Sequence, residues 1–487
     1  MSYDLVIANS IGFFRSQGYL IHSPSRWSEI VNNSERHFSY YPFFLAYLST
    51  LLKQKTSLKI KMIDGCLEKL DSQQYFLKIK QLCPKFLFMD AGTLVFNQNV
   101  KLAKSIKKAC GTTILFGGPH ASSFPELSLQ NGIDFVFCGT YENSILSFFQ
   151  NKKYLTDKKI FYSNNEISFN EFPFPEDNDI SRLAYAIPGE PSSNYKEIQI
   201  YATRGCNGFC PFCIAKNIFY KNQNHVSRKV SDVISEMQYL KNKYPEIEGF
   251  FFDEEDHFSN KQFIKEFTKE LIHNKNSTKI EALGRMDNIP LDIIPELKQA
   301  GYYKIRVGVE SFHKDIQKNI HKIVSPKEAE TFLKKCKRYN LDVYMTFQIG
   351  LPESTKEKDE FTLAIIKDFL NKSLLTNVQV SIFTPLPGTP FYKDLQEKGY
   401  LISDDFEKYN GGTTAVISYP DYKAKEIESM YSKFIYARDH IQLLQQLKTV
   451  KIIPFFFAKL KKHSFPYIIK KIIRRLLSET RYLIAKT

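Results

Sequence analysis

Three cysteines fall within eight residues of this chain: Cys206, Cys210 and Cys213, in the stretch Arg204-Gly-Cys-Asn-Gly-Phe-Cys-Pro-Phe-Cys213. The spacing is C-x3-C-x2-C, in a loop loosened by Gly205 and Gly208. Three thiolates so placed can wrap one face of a metal centre. A closed zinc site takes four ligands, and no fourth Cys or His is close; His225, the nearest His, lies a dozen residues on. An iron–sulfur cube held by three cysteines leaves one iron open to a substrate or cosubstrate. A structural zinc loop, or cysteines with no shared role, is the alternative.

The elements that must position this loop are legible as alternating runs. In residues 1–150, short apolar stretches at Asp4–Ala8, Leu58–Ile63, Phe86–Met89, Thr113–Phe116 and Phe135–Cys138 read as strands. Helical patterns at Phe43–Lys53, Gln73–Gln81, Val100–Ala109 and Asn143–Gln150 lie between or after them. That alternation predicts a parallel, doubly wound, Rossmann-like sheet. Its strand ends carry Asp64-Gly65, Asp90-Ala-Gly-Thr93, Gly117-Gly-Pro-His120 and Gly139-Thr-Tyr-Glu142. Ligands bind at such ends in this fold class, although Gly-rich turns can also do no more than reverse the chain.

Residues 151–195, rich in Pro, Asn and Ser, read as a linker with extended pieces at Lys159–Tyr162 and Glu166–Phe169. A second alternating region follows over 196–400. Its strands are Ile198–Ala202, Gly249–Phe252, Lys279–Leu283, Lys304–Val309, Val343–Ile349 and Asn377–Phe383. Its helices include Ser227–Lys243, Asn260–His273, Ile293–Ala300 and Pro326–Tyr339. Six such units predict a partial (β/α)6 barrel with its site at the carboxyl-terminal rim. The cysteine loop directly follows the first of these strands, at that rim. Residues 401–487 form a helical carboxyl-terminal region with a basic tail.

The chain is 487 residues long, 43% hydrophobic and 24% charged, which fits a globular protein of two or three domains. Its five other cysteines (Cys66, Cys83, Cys110, Cys138 and Cys336) are scattered rather than set out as a disulfide framework. That usage, with no secretory signal and no apolar run of about 18 residues, points to a reducing cytoplasm. The net charge is +15, but residues 441–487 hold eleven Lys or Arg against one acid, Glu479. The body is therefore near balance, and no nucleic-acid partner is indicated.

The cysteine stretch, with Phe212 before its last Cys, resembles the signature of the radical S-adenosylmethionine (SAM) enzymes. Residues 196–400 resemble that family's core, and residues 1–150 resemble the cobalamin-binding domain that precedes it in one subgroup. Tyr41-Pro-Phe-Phe-Leu-Ala-Tyr47, Gly117-Gly-Pro-His-Ala-Ser122, Gly139-Thr-Tyr-Glu142, Gly308-Val-Glu-Ser311, Gly350-Leu-Pro-Glu353 and Pro385-Leu-Pro-Gly-Thr-Pro390 carry the likeness in order. The resemblance implies a 4Fe-4S cluster on Cys206, Cys210 and Cys213, with SAM on the open iron and reductive cleavage to a 5′-deoxyadenosyl radical. It implies that the acidic run Asp253-Glu-Glu-Asp256, through Glu255 or Asp256, meets the SAM amino group; a solvated acidic loop is the alternative. Glu310 resembles the acid that contacts the SAM ribose, unless it pairs with a core Arg such as Arg285 or Arg306. Arg285 could face the SAM carboxylate or serve a structural pair, and Phe212 would lie near the adenine. The ends around Asp64, Thr93, Gly117, Gly118, Gly139 and Glu142 would touch cobalamin. The D-x-H-x-x-G pattern of a cobalt-ligating His is absent, and an acid is common in the subgroup where Thr140 stands.

The activity implied is cobalamin-dependent methylation of an unactivated carbon. A radical cyclase or rearrangement enzyme of the same architecture, or a non-catalytic iron–sulfur binding protein, is the alternative. A small-molecule or lipid-like substrate and a reductant such as flavodoxin or ferredoxin are the expected partners. In the tail, Ile468, Ile469, Ile472, Ile473, Leu476 and Leu477 alternate in pairs with Lys470, Lys471, Arg474 and Arg475. On a helix this makes an apolar stripe backed by a basic face, suited to lie peripherally on anionic lipid or to pack on the barrel with its charges solvated. Each Lys or Arg near an anionic surface contributes about 1 kcal/mol. The full-length protein is therefore expected to co-sediment with anionic vesicles at low salt, less so at high salt. Equal sedimentation with neutral vesicles would remove the electrostatic part of the argument.

Overall fold

The run Leu5–Ala8 is buried at all four positions, as a central parallel strand covered on both faces must be. In the computed structural model, which describes residues 3–448 except 15–17, 22–29, 33–37, 165–166, 190–192, 222, 376 and 411, this run is β1. Beside it lie β2 (Ile60–Ile63) and β3 (Phe86–Asp90), followed outward by β4 (Thr113–Gly117), β5 (Phe135–Cys138) and β6 (Ile160–Tyr162). All pairs are parallel, in the order β2-β1-β3-β4-β5-β6. The order reverses between β1 and β3, where ligands bind in doubly wound sheets. Strand alternation divides the core in two. Leu5 and Ile7 pack with helices Phe43–Lys55 and Glu142–Gln150, whereas Val6 and Ala8 pack with helices Ser72–Leu82 and Phe96–Cys110.

The second sheet runs β7 (Glu197–Ile200), β8 (Gly249–Phe252), β9 (Lys279–Arg285), β10 (Tyr302–Glu310), β11 (Asp342–Ile349) and β12 (Asn377–Ile382), parallel and in chain order. This is the expected six-stranded partial barrel. Ile280 and Ala282 on β9, and Val343 and Met345 on β11, join the apolar core. The alternate residues Leu283, Arg285, Tyr344, Thr346 and Gln348 line an interior cavity. β9 and β11 thus turn apolar residues to the core and a mixed polar and apolar set to the cavity.

Three expectations change. The extended piece near 159–162 is not linker: β6 is the sixth strand of the first sheet, so that layer passes residue 150. Phe169–Glu171 is a 3-10 turn capped by Ser168, where extended structure was expected. The linker is a packed strap. Its Glu176 accepts from Ser49 Oγ at 2.7 Å and pairs with Lys53 at 2.5 Å, and its buried Arg182 pairs with Glu236 at 2.5 Å. A short antiparallel excursion at Phe13–Phe14, Gly18–Ile21 and Ile30–Asn32 carries no signal in the sequence pattern. The last described helix, Ala424–Lys448, packs on helix Lys356–Asn371. No helix of the described residues is long and apolar enough to cross a membrane. The expected amphipathic tail falls outside the described residues.

The layers meet through buried polar contacts. The Tyr41 backbone N–H donates to Gln199 Oε1 at 2.7 Å, Phe43 stacks on Tyr201 at 3.8 Å between centroids, and Ser123 Oγ donates to the Pro387 carbonyl at 2.8 Å. His120 is fully buried between the rings of Phe96, Phe124 and Phe406, and both ring nitrogens lack a partner. Burial pushes its pKa down to about 3. Below pH 6.5 the unfolded chain takes up a proton that the folded chain refuses, so stability falls as pH drops, by about 1.4 kcal/mol per unit. Unfolding of wild type and His120→Phe at pH 7.5 and 5.5 should show the variant losing about 1.4 kcal/mol less between the two. Identical losses would mean that His120 is not held neutral.

Candidate active site

The cysteine loop leaves β7 through a two-residue ribbon, Thr203–Arg204 against Val226–Ser227. Gly205 turns with φ +81. A Cβ on Gly208 would stand 2.5 Å from Arg285 Nη1, so only glycine lets that guanidinium reach the loop. Arg285 Nη1 donates to Cys210 Sγ at 3.3 Å, and Gly208 N–H donates to Cys206 Sγ at 3.2 Å. These are donors that steady a thiolate or a sulfur-ligated cluster. Cys206, Cys210 and Cys213 line one cavity of about 380 Å³. Burial pushes the Cys213 thiol up to about 11 and raises Cys206 as well, with Asp256 adding to the latter. Thiolates here therefore need positive charge beside them, which Arg285 supplies and iron would supply. Among the described residues no three Cys, His, Asp or Glu groups converge on a single ion.

The acidic run resolves into separate jobs. Glu255 lines the cavity, and its Oε2 accepts the Gly205 N–H at 3.1 Å. Asp256 does not line it. Its Oδ1 accepts the Arg285 N–H at 3.0 Å, its Oδ2 accepts from Asn288, and Cys206 Sγ lies 3.9 Å away. Glu254 holds His257 Nδ1 at 2.6 Å, and His257 Nε2 meets Tyr302 Oη at 2.7 Å. The run is buried throughout, so it is not a solvated loop.

Glu310 ends β10 in the left-handed region, φ +68, at an irregularity in the pairing with β11. Lys322 donates to it at 2.9 Å and Gln348 at 3.2 Å. A Cβ on Gly308 would lie 2.5 Å from Glu310 Oε1 and 2.7 Å from Lys322 Nζ, which explains that glycine. The partner of Glu310 is thus neither Arg285 nor Arg306. Arg285 instead forks onto Asp287 at 3.0 and 2.6 Å, while Arg306 pairs with Glu281 on the inner wall. Phe212 lines the cavity. Lys322, Gln348, Arg306, Phe38 and Tyr40 line it too and were not anticipated. The inward register of β10 and β11 could have pointed to Arg306 and Gln348; nothing local marks the other three.

The residues expected at cobalamin are brought to one edge of the first sheet, but their side chains are engaged within the protein. Asp64 is buried, accepting from Asn9 Nδ2 at 2.5 Å, the Leu67 N–H at 2.9 Å and Tyr185 Oη at 2.5 Å. Thr93 is buried after β3. A Cβ on Gly117 would meet Phe88 and Tyr141, one on Gly118 would meet Asp90, and one on Gly139 would meet Ser163. Glu142 pairs with Arg204 Nη2 at 2.6 Å, both buried. Arg204 lies 4.6–5.3 Å from the ring centroids of Phe44, Tyr47, Phe169 and Phe172. The edge can therefore offer backbone and small residues to a flat macrocycle. Its His120, shut behind three phenylalanines, is not available to ligate cobalt.

Residues 200–364 match the Radical SAM superfamily. This stretch is a radical SAM domain. An uncharacterized methyltransferase of Pyrococcus horikoshii is 25% identical to the chain over 385 residues, 76% of this chain and 81% of that protein. Bacteriochlorophyllide d C-8(2)-methyltransferase of Chlorobaculum tepidum is 23% identical over 340 residues, 65% and 70% of the two chains. Among solved structures, the radical S-adenosylmethionine methyltransferase TsrM of Kitasatospora setae, with cobalamin and a 4Fe-4S cluster bound, matches with a TM-score of 0.63 at 12% identity over 91% of this chain and 89% of that one. The cobalamin-dependent radical enzyme OxsB matches with a TM-score of 0.61 at 13% identity over 98% and 71%. At such identities the likeness is one of fold, and it extends across both layers. The radical SAM resemblance and the fold read from the sequence are borne out.

Removing one partner of a buried ion pair costs about 3–5 kcal/mol. Glu142→Gln should therefore lower the stability of the whole chain by about 3–5 kcal/mol in denaturant unfolding. A variant that unfolds like wild type and differs only in cobalamin retention would assign Glu142 to the ligand instead of to Arg204.

Proposed function

We propose that this chain is a cobalamin-dependent radical SAM methyltransferase that acts on an unactivated carbon of a small molecule. The observation that carries the reading is the one cavity that three cysteines, Glu255, Arg285 and Glu310 line together with Phe38 and Tyr40 from the amino-terminal half. Similarity to methyltransferases along most of the chain supports it. When bound, the cluster would supply the electron that splits SAM, and cobalamin the methyl group for the substrate.

The protein's own part is to bind, orient and exclude water. Cys206, Cys210 and Cys213 would each ligate one iron, with Arg285 and the Gly208 N–H spreading the thiolate charge. Glu255 would accept the SAM ammonium. Glu310, held by Lys322 and Gln348, would accept the ribose hydroxyls, and Phe212 would cover the adenine. Asp256 is a positioning residue: it fixes the turn that carries Arg285. The segments at Asp64, Thr93, Gly117–Gly118 and Gly139–Glu142 would hold cobalamin by backbone contacts, without a His ligand to cobalt. The tail would hold the enzyme at an anionic membrane surface where a lipid-like substrate could be met, with flavodoxin or ferredoxin as reductant.

Anaerobic reconstitution should load about four iron and four sulfide per chain, and Ala at Cys206, Cys210 or Cys213 should abolish cluster and SAM cleavage, while Cys336→Ala should not. Tight zinc without iron uptake would overturn the assignment. Losing a charge-assisted hydrogen bond costs about 1.5–3 kcal/mol, so Glu255→Gln should weaken SAM binding roughly 10- to 100-fold with iron content unchanged. Protein purified with hydroxocobalamin should retain about one corrin per chain, with no nitrogen hyperfine coupling from a His in the cob(II)alamin spectrum. SAM cleavage without methyl transfer would move the reading to a cyclase or rearrangement enzyme.

A further inference from the structure

Two thiols outside the catalytic cavity share one surface depression at the opposite, amino-terminal edge of the first sheet. Cys110 is the last residue of helix Phe96–Cys110, and Cys83 is the cap that ends helix Ser72–Leu82. Both line one surface depression together with Lys85 and Tyr154. The Cys83 side chain acts on the Cys110 thiol across this depression, and Cys110 Sγ lies 3.9 Å from the carbonyl of Lys80, on the helix that Cys83 caps. Cys83 is exposed and Cys110 half-buried.

The backbone adds an independent observation. Both helices end on a left-handed residue, a position that glycine fills without strain. The second uses Gly111, φ +67, whereas the first uses Cys83, φ +39. A side chain is thus held at a strained cap where glycine would serve the helix better, in the same depression as the last residue of the neighbouring helix.

We propose that Cys83 and Cys110 are a reversible dithiol–disulfide pair that staples the ends of these two helices when a low-molecular-weight disulfide such as oxidised glutathione is present. The exposed Cys83 thiolate attacks one glutathione sulfur, forming a mixed disulfide and releasing one glutathione thiolate. The Cys110 sulfur then attacks the Cys83 sulfur and releases the second. The pair is oxidised by two electrons, and its two protons pass through solvent to the two released glutathione thiolates, so that one glutathione disulfide is reduced to two thiols. Cys110 is the resolving partner; burial and the neighbouring Cys83 sulfur push its pKa up to about 11. The other cysteines are removed from this exchange: three are set in the cavity, and Cys66, Cys138 and Cys336 are buried.

The test uses the cluster-loaded full chain under anaerobic conditions, in buffers of increasing oxidised-to-reduced glutathione ratio, quenched with N-ethylmaleimide and digested without reductant. The expected result is a peptide pair joined at Cys83 and Cys110, lost on adding dithiothreitol. The melting temperature should rise on oxidation, a shift absent in Cys83→Ser and Cys110→Ser, while cluster absorbance stays constant. The joined peptide is read in the wild type, so poor folding of a variant does not spoil the test. Maleimide on both cysteines at every ratio, or a glutathione adduct on Cys83 that never passes to Cys110, would overturn the proposal. So would joined peptides that form only after the cluster is lost.

Discussion

A guanidinium two residues before the first cysteine of the loop has to be kept dry, and most of the molecule is arranged to allow it. Arg204 finds its counter-charge in Glu142, at the start of the helix following β5, and its cover in Phe44 and Tyr47 of the first helix and Phe169 and Phe172 of the strap. A buried ion pair alone barely offsets its desolvation; four rings around the cation add attraction where water is absent. The amino-terminal sheet, the strap and the radical SAM domain each contribute, so the cysteine loop is anchored by both layers.

Around that anchor, charges are used in pairs rather than singly. Glu236 receives both Arg182 and Arg228, Glu281 receives Arg306, and Glu310 receives Lys322. Burial alone would raise carboxylates such as Glu236, yet its two arginines hold it below the usual range. By contrast, Asp90 has only the Tyr141 hydroxyl at 2.9 Å, and burial carries it to about 7. The difference lies in the partner: a cation offsets desolvation, a neutral donor does so in part.

Elements were legible because they follow local pattern. The strands expected at Phe135–Cys138 and Gly249–Phe252 are found with those bounds, and the others shift by one or two residues at an end. The three cysteines and Phe212 were legible because their spacing is itself the signal. Partners were not, because a pair such as Glu142 with Arg204, or Glu310 with Lys322, is made by tertiary approach that no periodicity encodes. The same limit separates Glu255 from Asp256: adjacent in sequence, they turn to opposite tasks, one into the cavity and one onto the backbone of Arg285. The strap misled for a further reason. A Pro- and Asn-rich composition marks the lack of long regular elements, yet Glu176 is buried in an irregular stretch and Arg182 at the start of one 3-10 turn.

The alternation along the barrel strands has an evolutionary consequence. Thr346 and Gln348 on β11, and Gln379 and Ser381 on β12, face the cavity, while Val343, Met345, Val378 and Val380 between and beside them hold the helices. Mutations at the inward set alter what the chamber accepts and leave the outward packing intact. Because natural proteins sit close to their stability threshold, a wall whose replaceable and indispensable residues are interleaved but chemically independent can drift in selectivity faster than in shape.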